Sequence, residues 1–181
     1  AKEALRDVHI DWDVGTNGSV SSASLMEFYR GGLNATEDIA VARKDGDFDQ
    51  AFAGAAKKLE AEYYTPYLAH SCMEPMGCTA ILKDGKLEVW TSTQNAEASL
   101  ATAAATAGVP LENVEVHRTQ LGGGFGRRGG AQDFVRQGVA IAKAMEGTPV
   151  KMLWTREEDT QHDFYRPASL IRVKAGLDAS G

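Results

Sequence analysis

Leu121-Gly-Gly-Gly-Phe-Gly-Arg-Arg-Gly-Gly-Ala-Gln132 is the stretch on which the fold of this chain turns. Six of its twelve residues are glycine. Glycine loses more conformational freedom on folding than any other residue, so this density needs an offset. Two are open: backbone angles with φ > 0, or a backbone so close to a ligand that no Cβ fits. The preceding residues 113–119 alternate in polarity and predict a half-buried strand. Residues 131–146, with Phe134, Val135, Val139, Ile141, Ala142 and Met145 apolar, predict a helix. A strand, a glycine loop and a helix N-terminus together present free backbone N–H groups and the positive end of a helix dipole, which suits an anion. Arg127 and Arg128 are expected to add two cationic side chains there.

Working outward, the flanking segments alternate between strand and helix. Asp84-Gly85 between two alternating runs predicts a hairpin over residues 78–92. Residues 96–107 form an Ala-rich helix capped from the Ser92-Thr-Gln-Asn95 side and stopped by Gly108 and Pro110. Gly147 and Pro149 repeat that stop, residues 150–154 predict a strand, and Thr155-x-x-Glu158 has the form of a capping box. Residues 169–175 read as a last strand. Towards the N-terminus, residues 8–12 and 39–43 read as short strands. Ser24-Leu-Met-Glu27 reads as a capping box for a helix running to Gly31-Gly32. Phe48, Phe52, Ala55, Ala56 and Leu59 form a stripe that predicts a helix over residues 48–61, followed by a strand broken at Pro66. The fold class is therefore α/β (α+β), a mixed sheet with packed helices.

Composition narrows the function. The chain has 181 residues, 43% hydrophobic and 24% charged, enough to bury a core. A net charge of −6 argues against a nucleic-acid grip. Cys72 and Cys78 are too few for a disulfide scaffold, and a metal site from His70, Cys72 and Cys78 lacks a second ligand pair, so buried free thiols fit better. The chain starts at Ala1 and stops after a strand, and it is expected to be a piece of a longer protein. Gly124-Phe-Gly-Arg-Arg-Gly129 also matches the G-x-G-x-x-G dinucleotide fingerprint. It lacks the acidic residue about 20 positions on, and it does not open a βαβ domain. A dinucleotide-binding module and a non-catalytic α/β scaffold remain as alternatives.

Gly122-Gly-Gly-Phe-Gly126 is similar to the glycine-rich motif of the molybdenum hydroxylases, the xanthine dehydrogenase and aldehyde oxidase family. Ala69-His-x-x-Met-Glu-Pro75 resembles the segment that opens the family's molybdenum-binding region, and Trp90-Thr-Ser-Thr-Gln-Asn95 its strand ending in Ser-Thr-Gln-Asn. Gly108-Val-Pro110, Val114-Glu-Val116, Pro149-Val-Lys151 and Arg156-Glu-Glu-Asp159 follow in the family's order. The Met-Glu-Pro-Met and Gly-Arg-Arg variants look most like the bacterial enzymes grouped with the isoquinoline 1-oxidoreductase β-subunit.

That resemblance implies a fragment of a larger molybdenum-binding subunit. Residues 1–12 would be the tail of a preceding small α/β domain, 13–62 a connecting helical segment, and 63–181 the first part of the molybdopterin-binding domain. It implies oxidation of an aldehyde or N-heteroaromatic compound with water as oxygen source. The cofactor would be a molybdenum-molybdopterin (cytosine) dinucleotide. Partners would be a subunit carrying [2Fe–2S] clusters and a cytochrome as electron acceptor, with a periplasmic or membrane-associated setting suggested by the branch. The cofactor-binding residues it implies are Gln94, Gly123, Gly124, Phe125, Gly126 and Arg127. No catalytic residue is expected in this chain, because the family's general-base Glu lies beyond Gly181, and Glu74 reads as structural. Where some relatives carry Glu after the motif, this chain has Arg128 and Gly129. His70, His117 and His162 read as core or surface histidines.

Overall fold

A computed structural model describes residues 2–181, with Ala1 outside the described residues. The described residues divide into two compact units, 67–167 and 2–66 with 168–181. No helix among the described residues is long and apolar enough to cross a membrane.

The larger unit, residues 67–167, is built on the predicted hairpin. Strand β2 (Gly77–Lys83) and strand β3 (Lys86–Thr91) pair antiparallel from Thr79↔Trp90 to Lys83↔Lys86. Asp84 and Gly85 both take positive φ, 51° and 71°, as a tight hairpin turn demands. Helix α4 (Ala96–Ala107) then crosses over to strand β4 (Val114–Arg118), which lies parallel to β3. The glycine loop leads from β4 into helix α5 (Asp133–Ala144), and strand β5 (Val150–Leu153) pairs antiparallel with β2. The strand order is β4-β3-β2-β5. Short helix α6 (Arg156–Gln161) follows, with Thr155 and Glu158 forming the predicted reciprocal cap.

The inward positions of the hairpin, Cys78, Ala80, Leu82, Leu87 and Val89, form one core with Phe134, Val135, Val139 and Ala142 of α5. Full burial of each larger apolar side chain stabilises by about 1.5–3 kcal/mol. Helix α4 contributes only Ala103 and Ala107 to that core, so it can lie close to its neighbours. Gly138 faces Cys78 so tightly that a Cβ would meet the Cys78 Cβ at 2.7 Å. Cys72 and Cys78 are free thiols and buried, as the sequence implied.

The smaller unit pairs strand β1 (Lys57–Thr65) antiparallel with strand β6 (Ser169–Leu177), from Lys57↔Leu177 to Thr65↔Ser169. Helices α1 (Lys2–Arg6), α2 (Ser22–Leu33) and α3 (Phe48–Gly54) precede it. Several expectations fail in this unit. The helix of residues 48–61 stops at Gly54, and Ala55 turns extended (φ −66°, ψ 135°) to feed β1. Its predicted stripe relied on two alanines beyond that point, and nine ladder pairs with β6 outweigh so weak a face. Residues 8–12 and 39–43 form no strand. Val8, Ile10, Ile39 and Val41 are exposed, and alternation without a neighbouring strand leaves backbone groups nothing to bond. The cap of α2 is Ser21 with Ser24, one turn earlier than predicted, and the helix runs through Gly31-Gly32 to Leu33.

Two outcomes follow from the core. Gly138→Ala should lower stability by about 1–3 kcal/mol, because crowding against Cys78 outweighs the ~1 kcal/mol gain in helix propensity; a raised melting temperature would refute the packing. Burial pushes the Cys78 thiol from 9.0 up to about 12. The unfolded chain therefore releases this proton first as pH rises. Stability is full below pH ~9 and falls above it, by up to about 1.4 kcal/mol per pH unit. Cys78→Ser or Cys78→Ala should flatten that alkaline slope in urea titrations.

Candidate functional site

Three segments far apart in sequence meet at the end of β3: residues 69–76, residues 91–95 and the glycine loop, residues 121–132. Arg128 joins them. Its side chain is fully buried. Nε donates to the Gly123 carbonyl (2.9 Å), Nη1 to the Ser92 carbonyl and hydroxyl (3.2 and 3.1 Å), and Nη2 to the Glu74 carbonyl (2.6 Å). The Glu74 carboxylate lies 3.2 Å from Nη2 and balances the charge. Glu74 also accepts from the Ser92 hydroxyl (2.9 Å) and the Gly122 N–H (2.9 Å), while its own N–H donates to the Gly122 carbonyl (3.0 Å). Glu74 is thus structural, as expected.

Gln94 lies under the loop. Its side-chain oxygen accepts from the Gly126 N–H (3.0 Å) and the Arg128 N–H (3.3 Å). Two donors on one oxygen fix the amide's orientation, so the Nε2 group is the end left to donate outward. Gly124 packs on this amide: a Cβ there would meet Gln94 Cδ and Oε1 at 2.6 Å. The glycine requirement at this position comes from a neighbouring side chain. Left-handed backbone accounts for Gly123 (φ 107°) and Gly126 (φ 100°). Phe125 also takes positive φ, 52°, and its ring is 76% exposed. A non-glycine residue in this region is strained, a feature that clusters at ligand sites.

The amides of the loop divide into two groups. Those of Gly122, Gly126, Arg127, Arg128 and Gly129 donate within the protein. Among the described residues no acceptor takes those of Gly123, Gly124 and Phe125 in the loop's middle, nor those of Leu121, Gly130, Ala131 and Gln132 towards its ends. Gly124 is itself buried. Three successive unspent donors, beside the outward Nε2 of Gln94, suit a ligand dense in acceptor oxygens.

The expectation that Arg127 and Arg128 offer free cations to a ligand is corrected. Both are buried and paired with carboxylates. Arg127 forms a two-pronged bridge to Asp133 (2.9 and 2.8 Å), and its Nε lies 2.7 Å from Asp163 as an ion pair without hydrogen-bond alignment. Its guanidinium centre sits 5.6 and 5.2 Å from the rings of Trp154 and Phe164. Asp163 in turn accepts from the backbone N–H of His70 and pairs with its Nδ1 (3.0 Å). His70 is therefore partnered, a link the sequence reading missed, because 93 residues separate the two. His117 pairs with Glu88 (3.2 Å) and stacks on Trp90, and His162 lies 3.6 Å from Asp133. A cavity of about 660 Å³ beside the loop is lined by His70, Gly126, Arg127, Asp133, Arg136 and Phe164, among others.

The dinucleotide fingerprint finds no support. The strand before the loop is an edge strand, and the next strand, β5, joins the opposite edge with β3 and β2 between them, so no βαβ unit of adjacent strands surrounds the glycines. The molybdopterin cofactor-binding domain profile instead matches residues 33–181, and the chain belongs to that family. It is 37% identical over 136 residues to the aldehyde oxidoreductase molybdenum-binding subunit PaoC of Escherichia coli (strain K12), covering 75% of this chain and 18% of that protein. It is 31% identical over 140 residues to the xanthine dehydrogenase/oxidase of Gallus gallus, covering 76% of this chain and 10% of the relative. Among solved structures, quinoline 2-oxidoreductase from Pseudomonas putida 86 superposes with a TM-score of 0.61 at 20% identity, over 73% of this chain and 17% of that one. The chain thus spans less than a fifth of each of these relatives.

Gly124→Ala should displace the Gln94 amide and release the two N–H groups it holds. Hydrogen exchange at Gly126 and Arg128 should then accelerate by about tenfold or more, the equivalent of one lost hydrogen bond of ~1–1.5 kcal/mol. Unchanged protection at both amides would show that the loop does not depend on Gln94.

Proposed function

We propose that this chain is the first part of the cofactor-binding region of a molybdenum hydroxylase large subunit, acting on an aldehyde or an N-heteroaromatic compound with water as oxygen source. The observation that carries the reading is the row of unspent donors, Gly123, Gly124 and Phe125 N–H with Gln94 Nε2, on a family-matched glycine loop. When bound, a molybdenum-molybdopterin dinucleotide supplies two-electron redox chemistry. The residues present fit such a group: it is anionic and rich in acceptor oxygens, and the loop offers neutral donors.

In this reading Gln94 steadies an acceptor oxygen without adding charge, and its carbonyl end holds the loop in register at the same time. Gly123 and Gly126 provide the left-handed backbone that turns the amides outward. Arg127 acts indirectly, anchoring the loop's far end through Asp133 and Asp163. Glu74 is not free to serve as a base, being tied to Arg128, Ser92 and Gly122. The base belongs to residues outside this chain, as do the cytosine form of the dinucleotide, the [2Fe–2S] subunit and a cytochrome acceptor that complete the proposal. By the same reading residues 1–12 close a preceding domain and 13–62 connect it to the cofactor region.

Metal and pterin analysis of the longer protein that contains this chain tests the assignment. About one molybdenum and one pterin dinucleotide per subunit are expected, with oxidation of an aldehyde or N-heterocycle; a flavin, a nicotinamide or no cofactor would overturn it. In that protein Gln94→Ala should reduce turnover by about 10²–10³-fold, the usual cost of losing a preorganised donor. Its melting temperature should fall much less steeply than its turnover.

A further inference from the structure

We propose that the cavity beside the glycine loop binds a small planar aromatic acid, with Arg136 taking the carboxylate, Phe164 the ring and His70 a further polar substituent. It goes beyond the proposed function and does not depend on it: the claim is a ligand site, and none of Gln94, Gly123, Gly124 and Phe125 lines the cavity. At about 660 Å³ the cavity has the size of a small-molecule site. The charges around it are unequal. Arg127 and Asp133, two of its lining residues, neutralise each other in a two-pronged bridge. Arg136, also in the wall, is exposed and has no side-chain partner among the described residues, so its guanidinium is the cation left for an anion. A guanidinium meets a carboxylate with two parallel hydrogen bonds, which favours a carboxylate over a single-point acceptor.

The other walls select shape. Phe164 is 60% exposed while its ring rests beside the Arg127 guanidinium, so the ring is held and still presents a flat surface. His70 is held too. Asp163 is 2% exposed and ion-paired to Arg127, and an ionised carboxylate only accepts, so Nδ1 carries the proton of the His70 ring. Nε2 is then the one ring nitrogen free to bond an occupant. The result is a rigid imidazole, a rigid phenyl ring and one unspent cation around a single space.

The test uses the 181-residue chain with benzoate as probe, following the ¹⁵N signals of His70 and the side chain of Arg136. Saturable shifts with a dissociation constant of about 10 mM or tighter are expected, from about nine ligand atoms at ordinary efficiency. Arg136→Gln, on an exposed position, should weaken binding by about tenfold or more while leaving the melting temperature unchanged. Cyclohexanecarboxylate, which cannot stack, should bind about two- to tenfold more weakly than benzoate. No saturable shift, equal binding of the two acids, or inorganic phosphate competing as well as benzoate would overturn the proposal. Each result is independent of molybdenum content, so failure here is distinguishable from failure of the cofactor assignment.

Discussion

The buried guanidinium of Arg128 is the interaction on which the site depends. It has no exposure, and its donors reach the carbonyls of Gly123, Ser92 and Glu74, one from each of the three converging segments. A charge taken out of water costs several kcal/mol unless geometry and counter-charge compensate. Compensation comes from the Glu74 carboxylate and from carbonyls that would otherwise need partners of their own. Lysine could not substitute, since one ammonium cannot reach three directions in a plane. The loop between Gly122 and Arg128 is therefore shaped from its ends, which leaves its middle amides unspent.

The electrostatics of the region divide cleanly. Positive charge is kept inside and balanced: Arg128 by Glu74, Arg127 by Asp133 and Asp163. What faces outward from the loop is neutral, backbone N–H and the Gln94 amide. Neutral donors can hold an anionic group without locking its charge state, whereas a bare guanidinium would favour the more negative form. Burial also raises the Cys72 thiol from its ordinary range, only partly offset by Arg128, so the sulfur beside the loop stays protonated. It packs against Gly123 and Gly124 as a small apolar group with a weak bond to the Gly124 carbonyl.

The local signals in residues 67–167 agreed with one another, and there the expectations held. The Asp84-Gly85 turn, the Asn95 cap, the Gly108 stop at φ 76° and the Thr155–Glu158 box each act over four residues or fewer. In residues 2–66 the same signals were weak or unpartnered, and the second half of one expected helix became a strand. The reason is that β1 exists because β6 pairs with it, and β6 begins more than a hundred residues later.

By itself the sequence determined the hairpin, the helix ends within residues 67–167, the glycine loop between strand and helix, and the family, because each rests on short-range backbone preferences or on a motif quoted whole. Only the tertiary structure decided what the polar residues do. Arg127 and Arg128 looked like ligand-facing cations and are buried clamps. The missing Cβ of Gly124 makes room for Gln94, whatever its amide bonds. His70 read as a core or surface histidine and is held by Asp163. Each of these involves a contact between residues 30 to 93 positions apart, beside nearer ones such as Arg127 with Asp133, and no periodicity or cap reports which side chains such distances bring together.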